Sequence, residues 1–318
     1  VVSAGTGYSI DGEDVTTVAG ATTTVNSVIA RVIDSSGFVS SDFHVHSIDS
    51  PDAPVSRRDR TITMLAEGVD FFTPSDHEFL ADFEPTVTAL GATSLVKVAV
   101  GGEITSFDYG HFNAWPMTID PAQVNGGAVD HSRAAPAGQD FPSYGNYSRT
   151  PEEIIDLART DPGPETVQIN HIHSYFSIEG NSGLAMDSGQ KPPQANVPGV
   201  ARRLDPSITN YFTDHADALE IWIGDDRGQI LNSFLGRNTG DWFNLLNQGL
   251  IHTGIADSDT HRRINTQAGI PRSMVASATD APASLVPEDL SANVNAGRSI
   301  GTNAPMVRVT VSAASALE

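Results

Sequence analysis

From about residue 41 onward, short apolar runs alternate with helical stretches, and this rhythm organises most of the chain. Ser40-Ser41-Asp42-Phe43-His44-Val45-His46 alternates polar and apolar side chains and predicts a strand, since successive strand residues face opposite ways. The pattern then predicts a helix over 56–67, with Ser56 as N-cap and Gly68 as the stop. Further strands are predicted at 69–73, 95–100, 165–169, 218–223 and 250–256. An amphipathic helix carrying Trp242, Phe243, Leu245 and Leu246 is predicted between Asn238 and Gly249. The sharpest helix start is Thr150-Pro151-Glu152-Glu153, which combines a capping hydroxyl, a proline at the first position and a glutamate that can reach back to the cap. Two stretches, 112–148 and 174–210, are rich in Gly, Pro, Ser and Asn and break the rhythm. Segments of that length read as lids, binding loops or disorder.

Alternating strands and helices predict a parallel sheet, either doubly wound or closed into a barrel. The candidate chemistry decides between them. The first strand ends in His44 and His46, the 69–73 strand runs into Asp76-His77, and the 95–100 strand passes Gly101-Gly102 into Glu103, with His111 soon after. The 165–169 strand runs into His171 and His173, and the 250–256 strand into Asp257, Asp259 and His261. Groups delivered by many strand ends are the habit of a (β/α) barrel, whereas a doubly wound sheet gathers them at one switch point. Of the ten histidines, only His131, His215 and His252 fall elsewhere, and they read as loop, helix and strand residues without a role in the site. The spacing also suits metal binding. His44 and His46 share one strand face, Asp259 and His261 repeat that arrangement, and the two oxygens of Glu103 can bridge two ions.

Composition narrows the chemistry. The 318 residues suffice for one large domain with a small appendage. Residues 1–40 read as a β-rich extension or the end of a preceding β domain, 41–305 as the main unit, and 306–318 as a further β segment or tail. The abrupt strand-like ends read as those of a piece of a longer protein, so the compartment stays open between secreted or periplasmic and cytoplasmic. With no cysteine, disulfides and thiolate sites are excluded, and a transition metal must sit on imidazole and oxygen. The excess of 39 Asp+Glu over 18 Lys+Arg predicts a field that repels nucleic acid and anionic membranes. No apolar run has the length of a membrane span.

The motifs His44-Val45-His46, Ser75-Asp76-His77, Gly102-Glu103, His111, Asn170-His171 and Ser258-Asp259-Thr260-His261, in this order, resemble those of the PHP (polymerase and histidinol phosphatase) superfamily. Asp42-Phe43-His44-Val45-His46-Ser47, Leu219-Glu220-Ile221-Trp222, Gly297-Arg298-Ser299-Ile300 and Thr302-Asn303-Ala304-Pro305 resemble its carbaryl-hydrolase-like branch most. The resemblance implies an α/β fold, a distorted seven-stranded (β/α)7 TIM-like barrel, with the β-rich segment as an N-terminal extension. It implies one metal on His44, His46, Glu103 and Asp259, a second on Glu103, His111 and His171, and a third on His77 and His261. Where many family members complete the third site with histidine, this chain has Asp52, and Asp49 or solvent are alternatives.

The expected activity is that of a multinuclear metal-dependent hydrolase, using two or three Zn, Mn or Fe ions and a metal-activated water. Its substrate would be a small-molecule phosphoester, by the superfamily's commonest chemistry, or a carbamate or carboxylic ester, by the nearer branch. A non-catalytic, metal-stabilised domain is the third reading. His173 and Asp257 are the candidate catalytic groups, and Arg262, Arg263 and Arg298 the candidate substrate contacts, arginine matching phosphate geometry well. Nucleic acid and a membrane span are not expected as partners; oligomeric state is left open.

Overall fold

The computed structural model describes residues 1–106, 109–133, 147–160, 165–172, 186–191, 193–195, 212–224, 234–264 and 267–307. The alternating segments become strands β1 (Phe38–Val45), β2 (Phe71–Pro74), β3 (Lys97–Val98), β4 (Gly102–Ser106) and β5 (Gly110–Trp115). Short strands β6 (Ser132–Arg133) and β7 (Tyr147–Ser148) follow, then β8 (Thr166–Ile169), β9 (Met186–Asp187) and β10 (Gln194–Ala195). The last strands are β11 (Ala218–Ile223), β12 (Thr253–Asp257), β13 (Arg272–Ala276) and β14 (Ser299–Thr302). Five helices matter here: α1 (Arg57–Ala66), α2 (Glu84–Ala89), α3 (Pro151–Ala158), α4 (Phe234–Asn247) and α5 (Pro287–Asn295). The predicted caps form. Ser56 accepts from the Asp59 N–H, and Thr150 and Glu153 make both halves of a capping box.

The strands make two five-stranded sheets, in the orders β14-β13-β1-β2-β3 and β12-β11-β8-β5-β4. Within them β1-β2-β3 and β8-β11-β12 run parallel, while β13, β14, β4 and β5 pair antiparallel. A closed seven-stranded barrel was expected; among the described residues none is formed. The sheets touch through isolated bridges, Val45 to Thr260 and His77 to Glu103. The reason is local. After β3 the Gly101-Gly102 break leads into an antiparallel β4–β5 hairpin instead of another parallel strand with its helix. Glu103 therefore sits inside β4, and the apparent insertion from Phe112 opens as strand β5. At Gly101 a Cβ would stand 2.4 Å from Thr73 Cγ2 and 3.0 Å from the Ala114 carbonyl, so the chain approaches β2 and β5 as only glycine allows.

Packing places helices outside and strands inside. Met64, Phe83 and Val87 from the α1–α2 region pack with Val45, Phe72 and Val98 on one sheet. Ile154, Ile155 and Leu245 from α3 and α4 pack with Phe112, Val167 and Leu219 on the other. Between the sheets lie Phe43, Phe71, Trp115, Ile255 and Val275. Phe43 and Trp115 stack at 4.2 Å with planes 9° apart, joining β1 to β5 directly beneath His44.

The Thr/Val-rich 16–32 stretch forms no strand, and Val15, Val18, Val25, Val28 and Val32 are exposed. His215, expected in a helix, lies in the loop before β11. No helix among the described residues is long and apolar enough to cross a membrane.

Candidate metal centre

The parallel strands point their C-terminal ends at one hollow. β1 brings His44 and His46, β2 is followed by His77, β8 by His171 and β12 by Asp259 and His261. The β4–β5 hairpin adds Glu103 and His111 from the side. Two of these residues, His171 and Asp259, have left-handed backbones with φ of 30° and 46°. Such conformations cost about 1–3 kcal/mol in non-glycine residues and persist where the surroundings impose them.

The side-chain atoms of these residues lie close together. His44 Nε2 is 3.3 Å from Glu103 Oε1 and 3.1 Å from Asp259 Oδ1. His46 Nε2 is 3.2 Å from the same Asp259 oxygen and 3.6 Å from Glu103 Oε2. His111 Nδ1 and His171 Nε2 lie 3.1 and 3.6 Å from Glu103 Oε1. On the other flank, Asp52 Oδ2 is 3.4 Å from His77 Nε2 and 3.3 Å from His261 Nε2. Ligand atoms held 2.0–2.2 Å from one ion lie roughly 3.0–3.5 Å from each other. The observed separations are of that size, and several atoms converge where a hydrogen bond would join only two. His46 Nε2, Glu103 Oε2, His171 Nδ1 and Asp259 Oδ1 are buried with no hydrogen-bond partner, an arrangement that costs free energy unless a further group satisfies it. Donor atoms of His44, His46 and Glu103, of His44, His171 and Asp259, of Glu103, His111 and His171, and of His46, Asp52, His77 and His261 each gather within 4.8 Å. The donor set, imidazole and carboxylate, fits divalent metal ions.

Behind the ligands a second layer fixes their orientation. Asn170 Nδ2 donates to Glu103 Oε1 at 2.7 Å, and Ser50 Oγ and Thr105 Oγ1 meet His46 Nδ1 and His77 Nδ1 at 2.9 and 2.6 Å. Arg60, fully buried on α1, donates to the His46 carbonyl at 2.8 Å and to the Thr260 carbonyl and hydroxyl at 3.0 and 2.9 Å. It thereby clamps the end of β1 to the loop after β12.

The ligand groups also shift one another. Burial disfavours charge on His44, but Asp259, Glu220 and Glu103 outweigh it and hold the imidazole well above its ordinary value. At His77 burial is likewise outweighed, chiefly by Glu103, and the pKa rises to about 9. At His46 burial wins and pulls it down to about 3. Glu103 and Asp259 are held below the usual carboxylate range because the imidazoles, His44 foremost, overcome their burial.

Not every expected residue joins the hollow. Asp257 is fully buried behind it, accepting from the Phe43 N–H at 2.9 Å and Gln168 Nε2 at 3.3 Å. Burial and the neighbouring Asp42 and Glu220 raise its pKa well above normal. Asp257 is therefore placed to hold β1 against β12 and not to meet a substrate. Arg298 is at the far end of the molecule: its carbonyl accepts from Ala276, which pairs with Phe38 at the start of β1, opposite the His44 end. Arg262 and Arg263 are exposed just beyond His261, with Arg263 3.8 Å from Asp59. His173 lies outside the described residues. Asp49, the alternative to Asp52, is engaged by Arg57 Nε at 2.6 Å. His131 reaches within 3.7 Å of Glu78, next to His77, so it stands nearer the centre than its loop position implied. Arg60, Ser50 and Thr105 carried no readable sequence signal, since each acts through contacts the fold alone creates.

The sequence matches no family model and no curated protein. Among solved structures, the chain is similar to a two-domain protein from Bacteroides vulgatus containing a predicted PHP-like metal-dependent phosphoesterase. That match has 17% identity and a TM-score of 0.48, over 89% of this chain and 69% of that one. It is also similar to the lesion-specific endonuclease Q of Pyrococcus furiosus, at 13% identity and a TM-score of 0.46, over 83% of this chain and 57% of that one. An endonuclease Q complex with a 27-mer duplex carrying an abasic lesion at the active site matches at 14% identity and a TM-score of 0.42, over 76% of this chain and 54% of that one. The chain thus spans little more than half of the endonuclease chains. The exclusion of nucleic acid drawn from net charge is corrected by that complex: a protein similar to this chain holds DNA at its active site. Net charge sums the whole surface, whereas a nucleic-acid phosphate meets only the local field where it binds.

Proposed function

We propose that residues 41–305 form a PHP-type multinuclear metal-dependent hydrolase acting on phosphoester bonds. The observation that carries this reading is the convergence of His44, His46, His77, Glu103, His111, His171, Asp259 and His261 on one hollow with their ligand atoms spaced for shared cations. His44, His46, Glu103 and Asp259 would hold one ion, Glu103 with His111 and His171 a second, and His77, His261 and Asp52 a third. Bound there, divalent ions supply Lewis acidity, a water made acidic enough to ionise near neutrality, and a clamp for the oxygens of an in-line displacement. The chain's own contribution is orientation. Glu103 would serve both neighbouring positions, with Asn170 holding its Oε1 side, and Asp52, 54% exposed, stands at the solvent edge. Arg262 and Arg263, exposed beyond His261, would be the arginines to meet an anionic group of the substrate.

The test is metal content and turnover together. Protein saturated with Mn, Zn or Fe should carry two or three ions per chain and hydrolyse bis-nitrophenyl phosphate or nitrophenyl phosphate, and Glu103→Ala should abolish turnover. Hydrolysis of naphthyl carbamate or acetate alone would move the assignment to the carbon esters. Fewer than one ion per chain would sink the multinuclear reading.

A further inference from the structure

We infer that Glu220 is a positioning residue that binds two metal ligands at once and so ties two of the metal positions together; this rests on the metal reading above. Glu220 is fully buried on β11, one strand away from the nearest ligand-bearing strand end. Its Oε1 lies 2.9 Å from His44 Nδ1, and its Oε2 accepts the backbone N–H of His171 at 2.5 Å. A carboxylate oxygen accepts, so the first contact keeps a proton on His44 Nδ1 and makes Nε2 the nitrogen that can turn to a cation. Nε2 is the atom 3.3 Å from Glu103 and 3.1 Å from Asp259. The second contact pins His171 in its left-handed conformation, φ 30°, and so aims its ring at Glu103 and His111. His44 belongs to the first proposed position and His171 to the second. Glu220 holds both from behind, through the His44 Nδ1 and the His171 backbone N–H.

The chemistry of the two contacts makes the idea testable. Both partners of Glu220 are donors, and a carboxylate meets both with two acceptor oxygens. Glutamine has the same shape but only one acceptor; its amide nitrogen would face a donor whichever way it is turned. Glu220→Gln must therefore release either His44 or His171. Carboxylates that orient a metal-bound imidazole are worth 10–100-fold in metal affinity. A role confined to packing would lower stability and leave that affinity alone.

The experiment is calorimetric titration of the metal-stripped full chain with Mn2+, in wild type, E220Q and E220D, with circular dichroism confirming the fold. E220Q is expected to bind at least one Mn2+ about tenfold or more weakly, or to lose one from the stoichiometry. E220D, whose shorter carboxylate cannot span both donors, should weaken binding in the same direction and serves as the measurement if E220Q does not fold. Folded variants that bind Mn2+ with wild-type affinity and stoichiometry overturn the inference while leaving the metal centre intact. Wild type that takes up no Mn2+ overturns the metal centre itself.

Discussion

His77 and His46 sit 4.6 Å apart, ring to ring, yet burial and charge pull them in opposite directions. His46 is driven down to about 3 and is neutral at pH 7, ready to ligate; His77 is raised to about 9 and holds a proton that any cation must displace. The signs then follow. A raised imidazole stabilises the metal-free fold below its ordinary value of 6.5, and that contribution is lost as pH climbs through about 9. Cation binding has the opposite slope, because only the deprotonated ring ligates. Between pH 6.5 and 9, Mn2+ affinity should therefore rise while metal-free stability falls, and titrations in buffers of different ionisation enthalpy should show at least one proton released per chain. An affinity flat across that window would refute the assignment of His77. His46 and His77 were legible in the sequence because each falls at or just after the end of a predicted strand. Glu220 was legible only as part of a family-like phrase: its partners, His44 and His171, are 176 and 49 residues away.

At the scale of elements, periodicity reported local structure faithfully and topology only partly. β1, β2, β8, β11 and β12, with α1 and α3, stand near their predicted places because alternation and capping are local physics. The barrel did not follow, since Gly101-Gly102 turns the chain into a hairpin and the pairing of β13 with both β1 and β14 is antiparallel. Nothing local distinguishes a parallel from an antiparallel neighbour. Helix α1 shows how an element can serve the site without touching a ligand side chain. Its Arg60 stays charged at neutral pH, burial lowering its pKa only to about 10, and it satisfies three acceptors across the β1 and β12 ends. Arg60→Met keeps the bulk and removes the donors, leaving the buried His46 carbonyl without its guanidinium partner while the His46 N–H still reaches the Thr260 carbonyl at 3.1 Å. A loss of about 1–3 kcal/mol in denaturant stability is expected, with weaker Mn2+ binding because the end of β1 is held less firmly to the loop after β12. Unchanged stability would mean that water replaces the guanidinium at no cost.

Taken as a whole molecule, the protein concentrates cationic chemistry inside a strongly anionic shell, its formal charge being −21. Two kinds of stabilisation by salts follow and must be separated. Any electrolyte screens the self-repulsion of so many carboxylates, and at 0.15 M ionic strength charges more than about 8 Å apart are largely screened. Ions seated among His44, His46, Glu103, His111, His171 and Asp259 would act differently: they would bind the folded chain, where these side chains converge, far better than the unfolded chain, where they are scattered from residue 44 to residue 259. Ligand at a hundredfold excess over its dissociation constant adds about 2.7 kcal/mol per site. For a chain of this size that corresponds to a rise in Tm of about 4 °C per site. The rise should appear on adding Mn2+ to metal-stripped protein already held at 0.15 M NaCl, and should reverse with a chelator. Extra NaCl or Ca2+ at matched ionic strength should produce much less, since Ca2+ prefers an all-oxygen shell and half or more of each proposed ligand set is imidazole. If NaCl raises Tm as much as Mn2+ does, the histidines are ordinary buried groups, and the acidic shell alone explains the response to salt.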